Sequence, residues 1–176
     1  MGNQSYVIDH LISEVSYAEP VTLAEAKLYL RVSHTSEDAQ ISEMIRSARQ
    51  HIENATGLSL LTKQVQLWFS NEGGFLQLPY GPITSSVTLY DSTTGTELTD
   101  KTVVGGQHPV ITFPRIANMR AVYNVGYTAI PTGLKNALMD QINHLYENRG
   151  AFDETMGVCQ KAWRACQQYT RRSPIL

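Results

Sequence analysis

At 176 residues the chain has room for one domain, or for one domain carrying a sizeable insertion. Its hydrophobic content of 42% is that of an ordinary globular protein, and a net charge of −2 argues against a broad basic field for holding nucleic acid. No stretch approaches the roughly 18 consecutive apolar residues of a membrane span, and the start, MGNQSYVIDHLISEV, lacks the basic patch and long apolar run of a signal peptide, so neither a membrane nor an export role is expected.

Residues 1–19 are weakly patterned and fit either a short strand or an arm. PVTLAEAKLYLRV follows. Thr22 and Glu25 are spaced as a capping box behind Pro20, and Leu23, Ala26 and Leu30 mark a short helix ending near Arg31. After SHTS, EDAQISEMIRSARQHIENATG reads as one long helix around which the rest is organised. Ile41, Met44, Ile45, Ala48, Ile52 and Ala55 fall in an arc of about 100°, the width of a core-facing stripe, with Glu43, Arg46, Gln50 and Glu53 opposite. Thr35, Ser36 and Asp38 offer capping oxygens at its start, and Gly57 offers a left-handed stop.

From about Lys63 to Thr128 the period drops to two. QVQLWFS alternates Val65, Leu67 and Phe69 with Gln64, Gln66 and Trp68, and FLQLP, ITSSVTLY, TVV, PVITFP and RAVYNVGY follow as short strands. Turn chemistry separates them at Asn71–Gly74, Pro79–Pro82, Asp91–Gly95, Gly105–Gly106 and Pro114–Asn118. The expectation is a compact antiparallel unit of five or six strands.

Helical spacing returns at Pro131 and runs to Gly150, with Leu134, Ala137, Leu138, Ile142 and Leu145 on one face and Met139 and Tyr146 widening it. A last helix is expected over Val158–Arg172, stopped by Pro174, with Val158, Ala162, Ala165, Cys166 and Tyr169 inward. Neither helix pair buries its stripe alone. The order therefore implies an α+β protein: a small helical bundle with an antiparallel β insertion between its second and third main helices. Residues 1–62 then hold an N-terminal arm and the first two bundle helices. Residues 63–128 form the insertion, and 129–176 hold the last two helices and a tail.

Chemistry-bearing motifs are scarce. The five histidines have no metal-ligand spacing, no Cys-x-x-Cys occurs, Gly105–Gly106 is a turn without a following GK[ST], and the carboxylates are dispersed. No catalytic, metal or cofactor site is expected. On one helix Cys159 and Cys166 would lie about 10 Å apart, too far for a disulfide, which suits a reducing compartment. A Cys159–His144 nucleophile and base has no local signature. The one asymmetry is at the C-terminus. Residues 158–176 carry +4 and the remaining 157 residues −6. Cations near a helix C-terminus suit the dipole, but that leaves Trp163 and the apolar end unexplained. Trp163, Arg164, Arg171, Arg172, Ile175 and Leu176 together have the composition of a protein-binding anchor.

Four stretches in this order resemble the head–tail connector (adaptor) proteins of tailed bacteriophages over roughly residues 20–150. They are the proline-led first helix, the long helix ending Ala55-Thr56-Gly57, the Leu-Pro-x-Gly-Pro-Ile turn at 78–83, and the Gly-Tyr-x-x-Ile-Pro start of the third helix at 126–131. The resemblance implies a structural virion protein without enzymatic activity or cofactor, made in the host cytoplasm and placed at the head–tail interface. It implies a ring of copies, twelve-fold, below the portal protein, contacts with tail or stopper and tail-completion proteins, and genomic DNA passing through the channel without sequence-specific binding. Portal contacts by the C-terminal anchor residues are read from composition. The alternative is a nucleic-acid-binding module for DNA packaging, with Trp68, Tyr90, Tyr123 and Tyr127 as a stacking platform. Against it, residues 63–128 hold only Lys63, Lys101, Arg115 and Arg120 as cations.

Overall fold

The computed structural model describes residues 6–14, 18–70, 74–114, 118–149 and 157–170. The chain divides into two compact units, residues 1–17 with 61–128 and residues 18–60 with 129–176. The first is all β and the second helical, so the protein is α+β with two antiparallel sheets.

In the helical unit, α1 (Leu23–Leu30) begins as its sequence dictates. Glu25 donates its backbone N–H to Thr22 Oγ1, and the Glu25 carboxylate accepts the Thr22 backbone N–H. Glu25 also accepts Lys135 Nζ at 2.6 Å. That ammonium, with the Thr22 bonds behind it, pulls the Glu25 carboxyl down to about 2. A depressed carboxyl stabilises fully above the ordinary carboxylate range, and its contribution fades as pH falls toward about 2. Arg31 closes α1 in the left-handed conformation, φ 59°, which a side chain disfavours. Arg31→Gly is expected to raise stability by about 0.5–1 kcal/mol in thermal or urea melts.

The long helix α2 spans Asp38–Thr56 and ends at Gly57 with φ 70°. Ile41, Ile45, Ala48 and Ile52 are buried as expected, while Met44 and Ala55 are half-buried. Its start differs from the expectation. Glu37 is the capping residue and no side chain caps the first turn. Two of the three candidate oxygens are engaged elsewhere: Ser36 Oγ with His34 Nδ1, and Asp38 Oδ1 with Lys27 Nζ at 2.5 Å. Glu37 accepts Tyr146 Oη at 2.7 Å and pairs with Arg149 at 3.0 Å, tying the end of α3 (Thr132–Glu147) to the start of α2. These bonds, Tyr146 first, hold the Glu37 carboxyl below its usual range. Two buried positions on α2 are polar. Thr56 returns its hydroxyl to Ile52 O, and Arg49 meets Glu19 and Glu53.

The β unit holds β1 (Tyr6–Glu14), β2 (Lys63–Ser70), β3 (Phe75–Gln77), β4 (Thr88–Asp91), β5 (Glu97–Leu98), β6 (Thr102–Val104), β7 (Val110–Thr112) and β8 (Asn118–Val125). The N-terminal stretch is thus a strand. It pairs antiparallel with β2 from Tyr6↔Ser70 to Glu14↔Lys63, with a bulge between Val7 and Asp9. Between Lys63 and Thr128 there are seven strands where five or six are expected. The additional one, β5, has two residues, too few to display a period. The sheets run β1-β2-β8-β4-β5 and β3-β7-β6. Alternation places Val65, Leu67 and Phe69 of β2 and Met119, Ala121, Tyr123 and Val125 of β8 on one buried face. Leu76 and Ile111 of the smaller sheet, with Phe113 after β7, join that core.

The Leu78–Ile83 turn links the two sheets. Leu78 donates to Pro109 O at 2.8 Å, Gly126 donates to Pro82 O at 3.0 Å, and Ile83 bridges to Val125. At Gly81 a Cβ would lie 1.6 Å from Gln107 O, and at Gly126, φ 118°, 2.3 Å from Leu61 O. Gly81 and Gly126, two of the three glycines in the resemblance motifs, therefore sit where two backbones meet.

Candidate partner interface

The C-terminal residues start from a buried amide. Gln141 lies inside the apolar arc of α3 and has no solvent exposure. Its Nε2 donates to Gly157 O at 2.6 Å and faces His51 Nδ1 at 3.2 Å, while its Oε1 accepts Cys159 N–H at 2.7 Å. This side chain joins α2, α3 and the approach to α4. It also fixes where α4 begins: Cys159, its backbone donor given to Gln141, stays extended, and α4 spans Gln160–Cys166. Gly157, φ 78°, passes the His51 ring, where a Cβ would approach to 3.1 Å.

The last helix is shorter than the expected Val158–Arg172. A tight 3-10 turn over Gln167–Tyr169 follows Cys166, and Thr170 leaves it extended. The Thr170 hydroxyl donates to Gln167 O at 2.7 Å, a local bond that competes with continued helix. Val158, Ala162 and Cys166 are buried as expected, while Ala165 and Tyr169 are half-buried.

Of the anchor residues, Trp163 is half-buried and Arg164 is exposed, both on α4. Arg171, Arg172, Ile175 and Leu176 lie outside the described residues. Lys161 is committed within the unit. It donates to Asp140 Oδ1 at 2.6 Å, and that same oxygen accepts Tyr29 Oη at 2.7 Å. The carboxylate raises both the Lys161 ammonium and the Tyr29 phenol above their ordinary values. The local basic surplus that can meet a partner is thereby smaller than composition alone suggests.

Both thiols are unpaired and buried. Burial pushes Cys166 up to about 12, which keeps it a thiol. Cys159 Sγ faces Asp140 O at 3.9 Å, and His144 Nδ1 faces Asn148 Nδ2 at 3.2 Å, so the conceivable nucleophile and base have different partners. Among the described residues no group of three His, Cys, Asp or Glu converges as a metal site, and no helix is long and apolar enough to cross a membrane.

The stacking platform is dismantled in part. Tyr123 is 1% exposed, its hydroxyl donates to Pro79 O at 3.1 Å, and burial raises its phenol far above the ordinary value. It belongs to the core because it alternates with Ala121 and Val125 on β8, so it cannot stack a base. Tyr90 already carries the Arg120 guanidinium 4.8 Å from its ring centre. Trp68 and Tyr127 are half-buried.

Comparison with known proteins adds two observations. Residues 20–85 match the family described as "Phage gp6-like head-tail connector protein", which bears out the resemblance and spans the first three of its four motifs. The fold is similar to a chain in the structure titled "Neck of empty GTA particle computed with C6 symmetry", at TM-score 0.73 and 18% identity, covering 94% of this chain and 97% of that one. It is also similar to a chain of the "Virion of native gene transfer agent (GTA) particle", at TM-score 0.71 and 20% identity, with the same coverage. No curated protein matches the chain.

Proposed function

We propose that this chain, whose residues 20–85 carry the head–tail connector pattern, is a structural connector of a phage-like particle, forming a ring below the portal and joining the DNA-filled head to the tail. The family match is the observation that carries the reading, and likeness to a neck component over nearly the whole chain supports it. The helical unit is then the connector bundle, with β2–β8 of the β unit inserted between α2 and α3 and β1 joining them from ahead of α1. The ring surrounds the DNA path without reading sequence and takes part in no reaction. Its residence is the virion, and its neighbours are portal and tail-completion proteins.

Trp163, Arg164, Arg171, Arg172, Ile175 and Leu176 are the portal anchor in this reading. Each copy contributes a weak contact, arginines pair with partner carboxylates, and the ring multiplies the affinity. Truncation after Thr170 is expected to leave melting unchanged, since Tyr169 and Thr170 are already only half-buried. The same truncation should abolish co-sedimentation with portal rings and yield heads without tails. Wild-type portal binding by the truncated protein would move the anchor elsewhere. Tailed, infectious particles made in the absence of the whole chain would overturn the connector role.

A further inference from the structure

The outer face of the larger sheet carries a row of side chains that neither the core nor the C-terminal anchor uses. Register brings Trp68 of β2 opposite Arg120 of β8, and Arg120 opposite Tyr90 of β4. Gln66, Val122 and Thr88 form the next row. All six alternate with core residues of the same strands and are half-buried. Since β8 is the middle strand of the five, the row crosses the centre of the face. Leu76 and Ile111 of the smaller sheet join the core on the opposite side, so among the described residues no other part of the β unit covers this face.

Arg120 is the chemically distinctive member. Its guanidinium lies 4.8 Å from the centre of the Tyr90 ring, and among the described residues it has no hydrogen bond and no ion pair. Asp91, beside Tyr90 in sequence, commits its carboxylate to the Thr93 and Thr94 backbone N–H groups at 2.7 and 3.2 Å. An arginine held flat on a ring keeps its planar fork of N–H donors oriented and loses little rotamer freedom when an acceptor arrives. That fork matches a carboxylate bidentately. The Trp68 indole flanks it on the other side, so aromatic, arginine and aromatic stand in one line.

We infer that this row docks a different protein of the particle, through a segment that presents an Asp or Glu side chain to Arg120 and an apolar side chain to Trp68. The inference rests on the connector reading for the particle in which that partner is met. Charge decides against DNA as the occupant. Residues 63–128 carry four basic and four acidic residues, and Asp9 opposite Trp68 and Glu97 opposite Tyr90 close the two ends of the row. A duplex is held by several cations along its phosphates, and here it would meet one cation between two acids. A single carboxylate needs only that one. Composition decides against a second copy. Contacts between like subunits are the more apolar kind, whereas Trp, Tyr and Arg set among glutamine and threonine suit proteins that fold separately and then meet.

The test uses full-length protein in tailed particles, with Gln66 replaced by the photo-crosslinking residue p-benzoylphenylalanine. Gln66 shares the outer face with Trp68 and leaves the row itself intact. After irradiation and proteolysis, mass spectrometry should find the attachment on another particle protein, beside an Asp or Glu. Attachment to DNA, to a second copy of this chain, or to nothing in particles that contain the chain would overturn the inference and leave the connector reading standing. Tailed particles that lack the chain would overturn the connector reading and this inference with it. In an independent arm, Arg120→Gln, which keeps a planar group against Tyr90 without the charge, should lower the crosslink yield several-fold. Arg120→Glu should lower incorporation into particles several-fold while melting like the wild type, and changing the crosslinked carboxylate of the other protein to Arg should restore it. A loss that this exchange does not restore would assign Arg120 to the sheet alone and overturn the docking site.

Discussion

Ile45→Asp is expected to abolish the folded state of the helical unit, with loss of its cooperative melt and most of its helical circular dichroism. Ile45 is 3% exposed at the middle of α2, between Ile41 and Ala48 on the stripe and two turns before Ile52. The substitution removes about 1.5–3 kcal/mol of side-chain burial. It also places a carboxylate among apolar groups at a further cost of several kcal/mol, against a total stability of roughly 5–15 kcal/mol. Glu43→Ala, two residues away on the exposed face, removes a surface pair with Arg46 and should change stability by less than about 1 kcal/mol. Comparable melts for the two variants would mean that the buried face of α2 has been misplaced.

That contrast also marks what the sequence makes legible. Ile41, Ile45, Ala48 and Ile52 announce themselves because a helix repeats its environment every three to four residues, and local spacing is all that is needed. The Thr22–Glu25 box and the Gly57 stop are equally local. What spacing does not carry is a partner supplied from far along the chain. Arg49 is buried because Glu19 arrives from 30 residues upstream, and Gln141 is buried because Gly157 and Cys159 return to it. A glutamine within an otherwise apolar arc was the available signal for the second. β1 hides for a related reason. It is an edge strand with most of its side chains exposed, so no in–out alternation is imprinted on Tyr6–Glu14. Pro174 is the stop that the sequence displays, whereas regular α-helix ends at Cys166 and Thr170 leaves the 3-10 turn that follows it in an extended conformation. For the portal anchor, composition offered the candidates. The helix places Trp163 and Arg164 on one short segment and diverts Lys161 to Asp140.

Arg49→Leu should be nearly as damaging as Ile45→Asp, although leucine is the better residue for an apolar face. The guanidinium makes a fork with Glu19, Nε to Oε2 at 2.8 Å and a second nitrogen to Oε1 at 3.3 Å, and its remaining arm reaches Glu53 Oε2 at 3.0 Å. The Arg49 side chain is 7% exposed and that of Glu53 10%. The other Glu53 oxygen accepts the Leu60 backbone N–H at 2.7 Å, so this carboxylate also holds the chain just after α2. Leucine would leave the Glu53 charge in a site that water barely enters, without the cation that balanced it. Removing one partner of a buried ion pair costs about 3–5 kcal/mol, whereas an exposed pair such as Glu43–Arg46 contributes at most about 1 kcal/mol. The cause is separable by a second change. Glu53→Gln keeps an acceptor for Leu60 N–H and discards the charge, so Arg49→Leu with Glu53→Gln should recover a measurable part of the loss in urea melts. If the double variant is less stable than Arg49→Leu alone, the penalty arises from lost hydrogen-bond geometry at Leu60. If Arg49→Leu melts like the wild type, the fork between Glu19 and Glu53 contributes nothing to holding the helical unit.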